Sequence, residues 1–568
     1  MKKINPPSFF ILLTISFVLL FYSSCDIKSP VEDVNIIFNA KPITTIIAGD
    51  FVDANTGLPI SKTISLSIEG TARANIANLT GELKSAFTTQ NGFVSFALTE
   101  DIRPAEESPA RIIIIAKASG YKTNSLPIDI THTGSVSFSI PMIPEGGTLP
   151  SGIVTGNNTV KTNSQGITTD ASTLNITEPT SGINSSVYVP SGIKIKDKDG
   201  NVLTGNLTAS MTYYNPVSED AIKYFPGGFD VYTNTNGIRE QTAFITAGVA
   251  EITIKDGSGR EARYFETVST KQKKAASDTT SPLITIEIPE NTINPETGLQ
   301  IKEGDEVDLW SMLPDSAEWN WEKRSVIQYN KTTQKFFVTF QTTHLSTWNF
   351  DWKGTFCYTG GTITFTGISF PYPLRIVLSG NNGQFYRETT IMDGILTFLR
   401  PPNFPVKISV YDKNTGQPLG EKLIDNLCTF GTMTWELSTQ PPEPPVAVIV
   451  NAEGWCPCQP DVLIRPNGNP VWYQNITLGW SFWIYAGKIE NGEITIPGIL
   501  TTHNYRYGTW YEGEWYEVVA RVYDDHAEID GNLSTSNIVQ AYATGKNIIY
   551  FKGQLSDQIC NQLCSKSK

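Results

Sequence analysis

The chain is predicted to be all-β, a series of small β-sandwich domains. Short runs rich in Val, Ile and Thr recur along it. They are bounded by turn residues such as Asn55-Thr56-Gly57, Gln90-Asn91-Gly92 and Asp199-Gly200, the pattern of strands joined by tight turns. The 34 Pro and 45 Gly punctuate any long helix. Almost no stretch carries the i, i+3, i+4, i+7 apolar spacing of an amphipathic helix. At 568 residues the chain exceeds a single core and divides into about four domains of ~100–150 residues.

The N terminus has the layout of an export signal. Met1-Lys2-Lys3 supplies positive charge, Phe9 to Tyr22 is apolar, and Ser23-Ser24 precede Cys25. The apolar run is shorter than the roughly 20 residues a spanning helix needs, so residues 1–24 read as a signal peptide. Cys25 is the only cysteine in the first 356 residues. Ser23-Ser24-Cys25 resembles a lipobox of the relaxed kind found in Bacteroidetes lipoproteins, with Tyr22 where Leu is usual. That resemblance implies cleavage before Cys25, lipid on its sulfur, the membrane as a partner, and an outer-membrane or cell-surface location. The competing reading is an ordinary signal peptide with a chance cysteine. Residues 25–42 read as a tether with little structure.

Residues 43–143 form a first unit of β-rich runs and turns, the pattern of a small sandwich. Gly49, Asp53, Thr56-Gly57-x-Pro59-Ile60, Gly92-Phe93-Val94 and Ala116-x-Ala118-x-Gly120-Tyr121 make it similar to carboxypeptidase-regulatory-like domains. The resemblance implies a transthyretin-type spacer. Residues 144–170, rich in Gly, Ser, Thr and Asn, read as a linker. Residues 171–352 form the largest unit, with turn signals at Asp256-Gly257 and Pro295-Glu296-Thr297-Gly298. Its Val189-Pro190-x-Gly192-Ile193, Leu309-Trp310-Ser311 and His344-Leu345-Ser346-x-Trp348-Asn349-x-Asp351-Trp352 resemble the extracellular β-rich region of cartilage intermediate layer proteins. That resemblance transfers no catalytic residue. Residues 354–438 read as a small third sandwich. Thr439 to Pro445 hold four prolines in seven residues, a stiff extended linker. Residues 446–568 form an aromatic-rich, cysteine-closed fourth unit. The units are expected to be immunoglobulin-like or transthyretin-like.

Six cysteines remain beyond Cys25, an even number in an exported chain. Cys357 and Cys428 bracket the third unit. Cys456 and Cys458 open the fourth, and Cys560 and Cys564 close it. Placement favours one disulfide in unit three and two joining the ends of unit four. The alternative for unit four is a four-cysteine zinc site, from which the Cys-x-Cys and Cys-x₃-Cys spacings depart.

The formal net charge of −13 opposes binding to nucleic acid, whose phosphates repel it. Neither His-Glu-x-x-His nor Gly-x-Ser-x-Gly occurs, and neither metal nor cofactor is expected. His344, amid Ser346, Asn349 and Asp351, reads as a structural histidine bonding backbone at a strand end rather than as a catalytic cluster. Asp524, Asp525, His526, Glu528 and Asp530 read as an acidic turn, with calcium as the alternative. Asp278-Thr279-Thr280 and Asp315-Ser316-Ala317 resemble the Bacteroidetes O-glycosylation motif. Trp472, Trp480, Trp483, Tyr507, Trp510 and Trp515 are the ligand-binding candidates. Their run places aromatics on both faces of a strand, more than one core absorbs, and exposed rings stack on sugars or grip a peptide. The expected function is that of a non-enzymatic, membrane-anchored surface lipoprotein acting in binding of a glycan or protein, or in cell-surface structure. The alternatives are a glycan-binding accessory lipoprotein of a polysaccharide uptake system and a hydrolase with no recognisable motif.

Overall fold

The computed structural model describes residues 36–39, 43, 45–105, 107–268, 281–313, 318–357, 359–368, 370, 372–380, 383–437, 446–478, 483–511, 514–529, 539–544, 547–555, 560, 561 and 564. The signal segment, Cys25, Trp480, Asp530, the linker prolines and both O-glycosylation-like triplets lie outside them. The fold is all-β. Outside the helical residues Cys560, Asn561 and Cys564 near the C terminus, helix among the described residues is confined to the turns Arg73–Asn75 and Glu219–Ile222.

In the first unit, one sheet runs in the order Ile76–Ala77, Phe93–Leu98, Thr45–Asp53, Gly134–Met142. The other runs Ala86–Thr89, Ile64–Glu69, Ala110–Ala118, Asn124–Ile130. Alternate residues such as Ile47, Phe51, Leu66, Phe96, Ile112 and Ile114 fill the space between them, as the two-residue period of a strand requires.

The second unit begins earlier than the sequence indicates. Residues read as linker contain the strand Ile153–Thr162, paired along its whole length with Gly205–Tyr214. Its burial pattern, with Val160 and Thr162 inward and Asn157 to Thr159 exposed, is that of an edge strand whose solvent face is polar, and that face produced the loop-like composition. The long strand Ile238–Lys255 pairs with Asp230–Thr235 through its first third and with Thr347–Gly354 further on. Those two are linked through Glu318–Val326 and Glu306–Met312, so five strands close into a ring. A five-stranded sheet covers one side.

The third unit is a three-stranded sheet on a four-stranded one, closed by the Cys357–Cys428 disulfide with Cα atoms 5.8 Å apart. The fourth has a six-stranded sheet centred on Val446–Cys456 and a five-stranded sheet containing Pro470–Asn475, Asn504–Tyr511 and Glu514–Val522. Cys456–Cys560 and Cys458–Cys564 close it, with Cα separations of 5.4 and 6.1 Å, ordinary disulfide spans.

The tether reading also changes. Ile36–Asn39 forms a strand, parallel to Gln459–Asn467 at the edge of the fourth unit's larger sheet. The apolar Ile36-Ile37-Phe38 was the available signal.

The units are packed together rather than strung out. One apolar cluster joins Ile113 and Ile143 of the first unit, Phe229 and Trp319 of the second, Phe385 and Val410 of the third and Leu500 of the fourth. Gln384, in the third unit, is buried at the contact with the second. Its side chain donates to the carbonyls of Thr246 and Ile293 and accepts from the Ile293 N–H. A buried amide so satisfied incurs little desolvation cost. Lys122 and Glu251 pair at 2.9 Å between the first two units.

Candidate functional site

The aromatic span divides between two faces of one sheet. All six residues of Pro470–Asn475 are buried. Val471 and Tyr473 point inward, where they meet Tyr505, Tyr507 and Val518 in the fourth unit's own core. Trp472 points the other way, with Trp483, Tyr485, Trp510 and Trp515. That second face meets the first unit: Ile46, Ala48 and Phe93 pack on it, and the Phe93 ring centroid lies 5.6, 5.4 and 5.1 Å from those of Trp472, Trp483 and Trp515. Gly508 makes room, since a Cβ there would lie 2.0 Å from the Trp515 ring. The two-faced aromatic pattern is thus present, and what covers its outer face is another unit of the same chain. Trp472, Trp483 and Tyr507 are 1%, 9% and 0% exposed. Trp510 and Trp515 keep part of their surface.

The same interface holds a buried carboxyl. Asp50 accepts a hydrogen bond from the backbone N–H of Trp483 at 3.2 Å. Burial pushes its pKa well above the usual carboxylate range, against the lowering effects of that hydrogen bond and of Lys413. The Lys488 ammonium donates to the Ile43 carbonyl nearby.

Sequence reasoning missed a groove in the fourth unit that is open to solvent. Its origin is the central strand. The inward positions of Val446–Cys456 run Val448, Val450, Ala452, Gly454, so side-chain volume falls along the strand, and the groove opens beside Ala452. Ile464, Phe551 and Leu555 wall it, with Tyr516 and Gln554 also lining it. Leu555 covers Gly454 closely: a Cβ there would lie 2.4 Å from the leucine side chain. The walls are mainly apolar, so the groove suits an apolar occupant. A taper from Val to Gly carries no signal in a linear reading.

The histidine motif does not converge. Trp348, Phe350 and Trp352 enter the second unit's core, while Asn349 and Asp351 lie on the opposite face, where Asn349 accepts from the Thr246 hydroxyl at 2.9 Å. Asp351 is fully buried, and that burial raises its pKa well above the usual range. His344 sits 3.4 Å from a Glu322 oxygen, and its ring centroid lies 4.9 Å from that of Trp348. It therefore meets a carboxylate and an indole where a backbone hydrogen bond was expected. Around His526, Asp525 contacts Nδ1 at 2.7 Å and Glu528 accepts from the Tyr523 hydroxyl at 3.0 Å. Asp525 and Glu528 are thus engaged by their neighbours, and the pKa of His526 is raised, chiefly by its hydrogen bond with Asp525.

No family model matches the chain, and no curated protein matches it. Among solved structures it is similar to the TIE protein of Bacillus anthracis at 9% identity, over 72% of this chain, with a TM-score of 0.12. The chain spans 59% of that protein's length. It is also similar to the major pilin subunit of Bacillus cereus (9% identity, 90% of this chain and 99% of that one, TM-score 0.13). The full-length major pilin SpaD of Corynebacterium diphtheriae is another match (7% identity, 91% and 98%, TM-score 0.13). At these TM-scores neither the arrangement of units nor a role carries over.

Proposed function

We propose that the chain is an exported, lipid-anchored, non-enzymatic surface protein, a braced β-body that carries a binding groove in its fourth unit. The observation that carries this reading is the set of three disulfides, one in unit three and two across unit four, in a chain whose residues 1–24 read as an export signal before Cys25. Such bonds persist in oxidising compartments outside the cytoplasm. The first unit's likeness to carboxypeptidase-regulatory-like spacers supports a structural role for it. The groove between the fourth unit's sheets supports binding of an apolar ligand, such as the apolar side chains of a partner protein.

Intact-mass analysis of the membrane fraction, with and without reductant, tests the reading. Wild type is expected to show cleavage at Cys25 plus acyl chains, and Cys25→Ala to be soluble and unlipidated. Turnover of a glycan or peptide library by the purified protein would overturn the non-enzymatic role and favour the hydrolase. A second reading, glycan capture for an uptake system, draws on the surface that Trp510 and Trp515 retain. A glycan-array signal lost in Trp510→Ala would favour it over the apolar groove.

A further inference from the structure

The register of the N-terminal strand sets the orientation of the molecule on a membrane. Ile36 pairs with Ile464 and Asn39 with Asn467, in parallel. Ile464 is also the partner of Gly454 in the antiparallel neighbour Val446–Cys456. Ile36 therefore lies level with Gly454, two residues short of Cys456. The chain arrives at Ile36 from the end of the fourth unit where Cys456 and Cys458 are joined to Cys560 and Cys564. Ile548–Gln554, parallel to Val446–Cys456, finishes at that same end.

The third unit attaches at the opposite end, while the first lies beside the fourth, on the outer face of its five-stranded sheet. The N-terminal strand runs toward Asn467, and the first unit's opening strand begins at Thr45. The third unit joins at Val446, the far terminus of an 11-residue strand that spans about 35 Å at the rise of a β-strand. Eleven peptide units separate Cys25 from Ile36, and a fully extended chain of that length reaches about 40 Å at most.

We infer that the cysteine-pinned end of the fourth unit faces the lipid bilayer, and that the second and third units are carried on its far side, with the first unit beside it. This rests on the lipid-anchor reading of Cys25. The fourth unit is then the base of the molecule. A load applied between membrane and body passes through the Ile36–Asn39 pairing into the doubly disulfide-bonded sheet before it reaches the first unit.

The test uses the full-length protein in phosphatidylethanolamine–phosphatidylglycerol vesicles containing an acceptor-labelled lipid. A fluorescent non-natural residue is placed in turn at Pro457, at Lys331 in the second unit and at Glu421 in the third, all exposed positions. Energy transfer to the bilayer is expected to be severalfold greater from 457 than from 331 or 421. Equal or reversed efficiencies on vesicle-bound protein would overturn this inference alone. Protein that stays in the supernatant, behaving like Cys25→Ala, would sink the anchor reading and this inference with it. A second variant, Ile37→Pro with Phe38→Pro, removes the N–H groups of two consecutive residues, one of which faces the neighbouring strand. It should still bind vesicles but lose much of the transfer from 457, and unchanged transfer from 457 would count against the proposed geometry.

Discussion

The aromatic interface and the apolar groove occupy one unit and are built by opposite means. At the interface, Trp472, Trp483 and Trp515 close over Phe93 of the first unit, and Gly508 leaves room for the Trp515 ring. In the groove, the inward positions shrink to Ala452 and Gly454; Leu555 packs over Gly454, and the space beside Ala452 stays open. The large residues most conspicuous in a sequence are those most strongly driven out of water. In a multi-unit chain the nearest cover is another unit. A site for an external ligand is then left where small residues fail to fill the gap between sheets.

The contrast can be broken most forcefully at the cross-links. Replacing Cys456, Cys458, Cys560 and Cys564 together by Ser opens a closure of 104 residues and is expected to destabilise the fourth unit by about 4–5 kcal/mol. Calorimetry should show that unit's transition falling while those of the second and third hold. Next is Phe93→Ala, at a residue 2% exposed. Truncating a buried aromatic costs about 3–5 kcal/mol. Here the loss should appear as separation of the first and fourth units, read as a split melting transition and new proteolysis near residue 44. If the single transition survives intact, the aromatic face does not hold the units together.

A smaller effect is expected from Asp50→Asn, which keeps the acceptor for the Trp483 N–H and removes the charge. Because the folded pKa is raised, the folded state holds its proton above the unfolded carboxylate value near 3.8. Stability contributed by Asp50 is therefore lost as pH rises from there through the folded pKa. Asp50→Asn should flatten that decline and raise stability at neutral pH by about 1–3 kcal/mol. A melting temperature that varies with pH identically in both proteins would exclude Asp50 as its cause. Smallest is Ala452→Val, which adds two methyl-sized groups to unfilled space. It should be neutral or stabilising by about 1 kcal/mol yet reduce binding of an apolar fluorescent probe. A strongly destabilised variant would mean that the space is not available.

Much of this was legible beforehand because it rests on local rules. Turn residues and two-residue alternation identify strands without regard to what they pack on. Cysteines placed at the ends of units constrain their own pairing. The aromatic run implied a second face beyond one core, read as a binding surface, and the first unit covers that face. What covers it was not legible, since alternation records burial and not the partner. The strand Ile153–Thr162 was obscured because an edge strand takes the same Asn and Thr that a loop takes. His344 was placed by its neighbours Glu322 and Trp348, the first of which stands on a strand 22 residues upstream in sequence.

The pairing of Ile36 with Ile464 also governs how the molecule is made. These partners are 428 residues apart, so the strand Ile36–Asn39 is synthesised long before its mate exists. Pairings of such sequence separation form late and slowly. The first three units can condense as they emerge, in chain order. The fourth cannot be completed until the last cysteines arrive, and the edge Gln459–Asn467 lies open until the N-terminal strand returns to it. An exposed strand edge invites the wrong partner, so the interval before that pairing forms is when this chain is most open to mispairing.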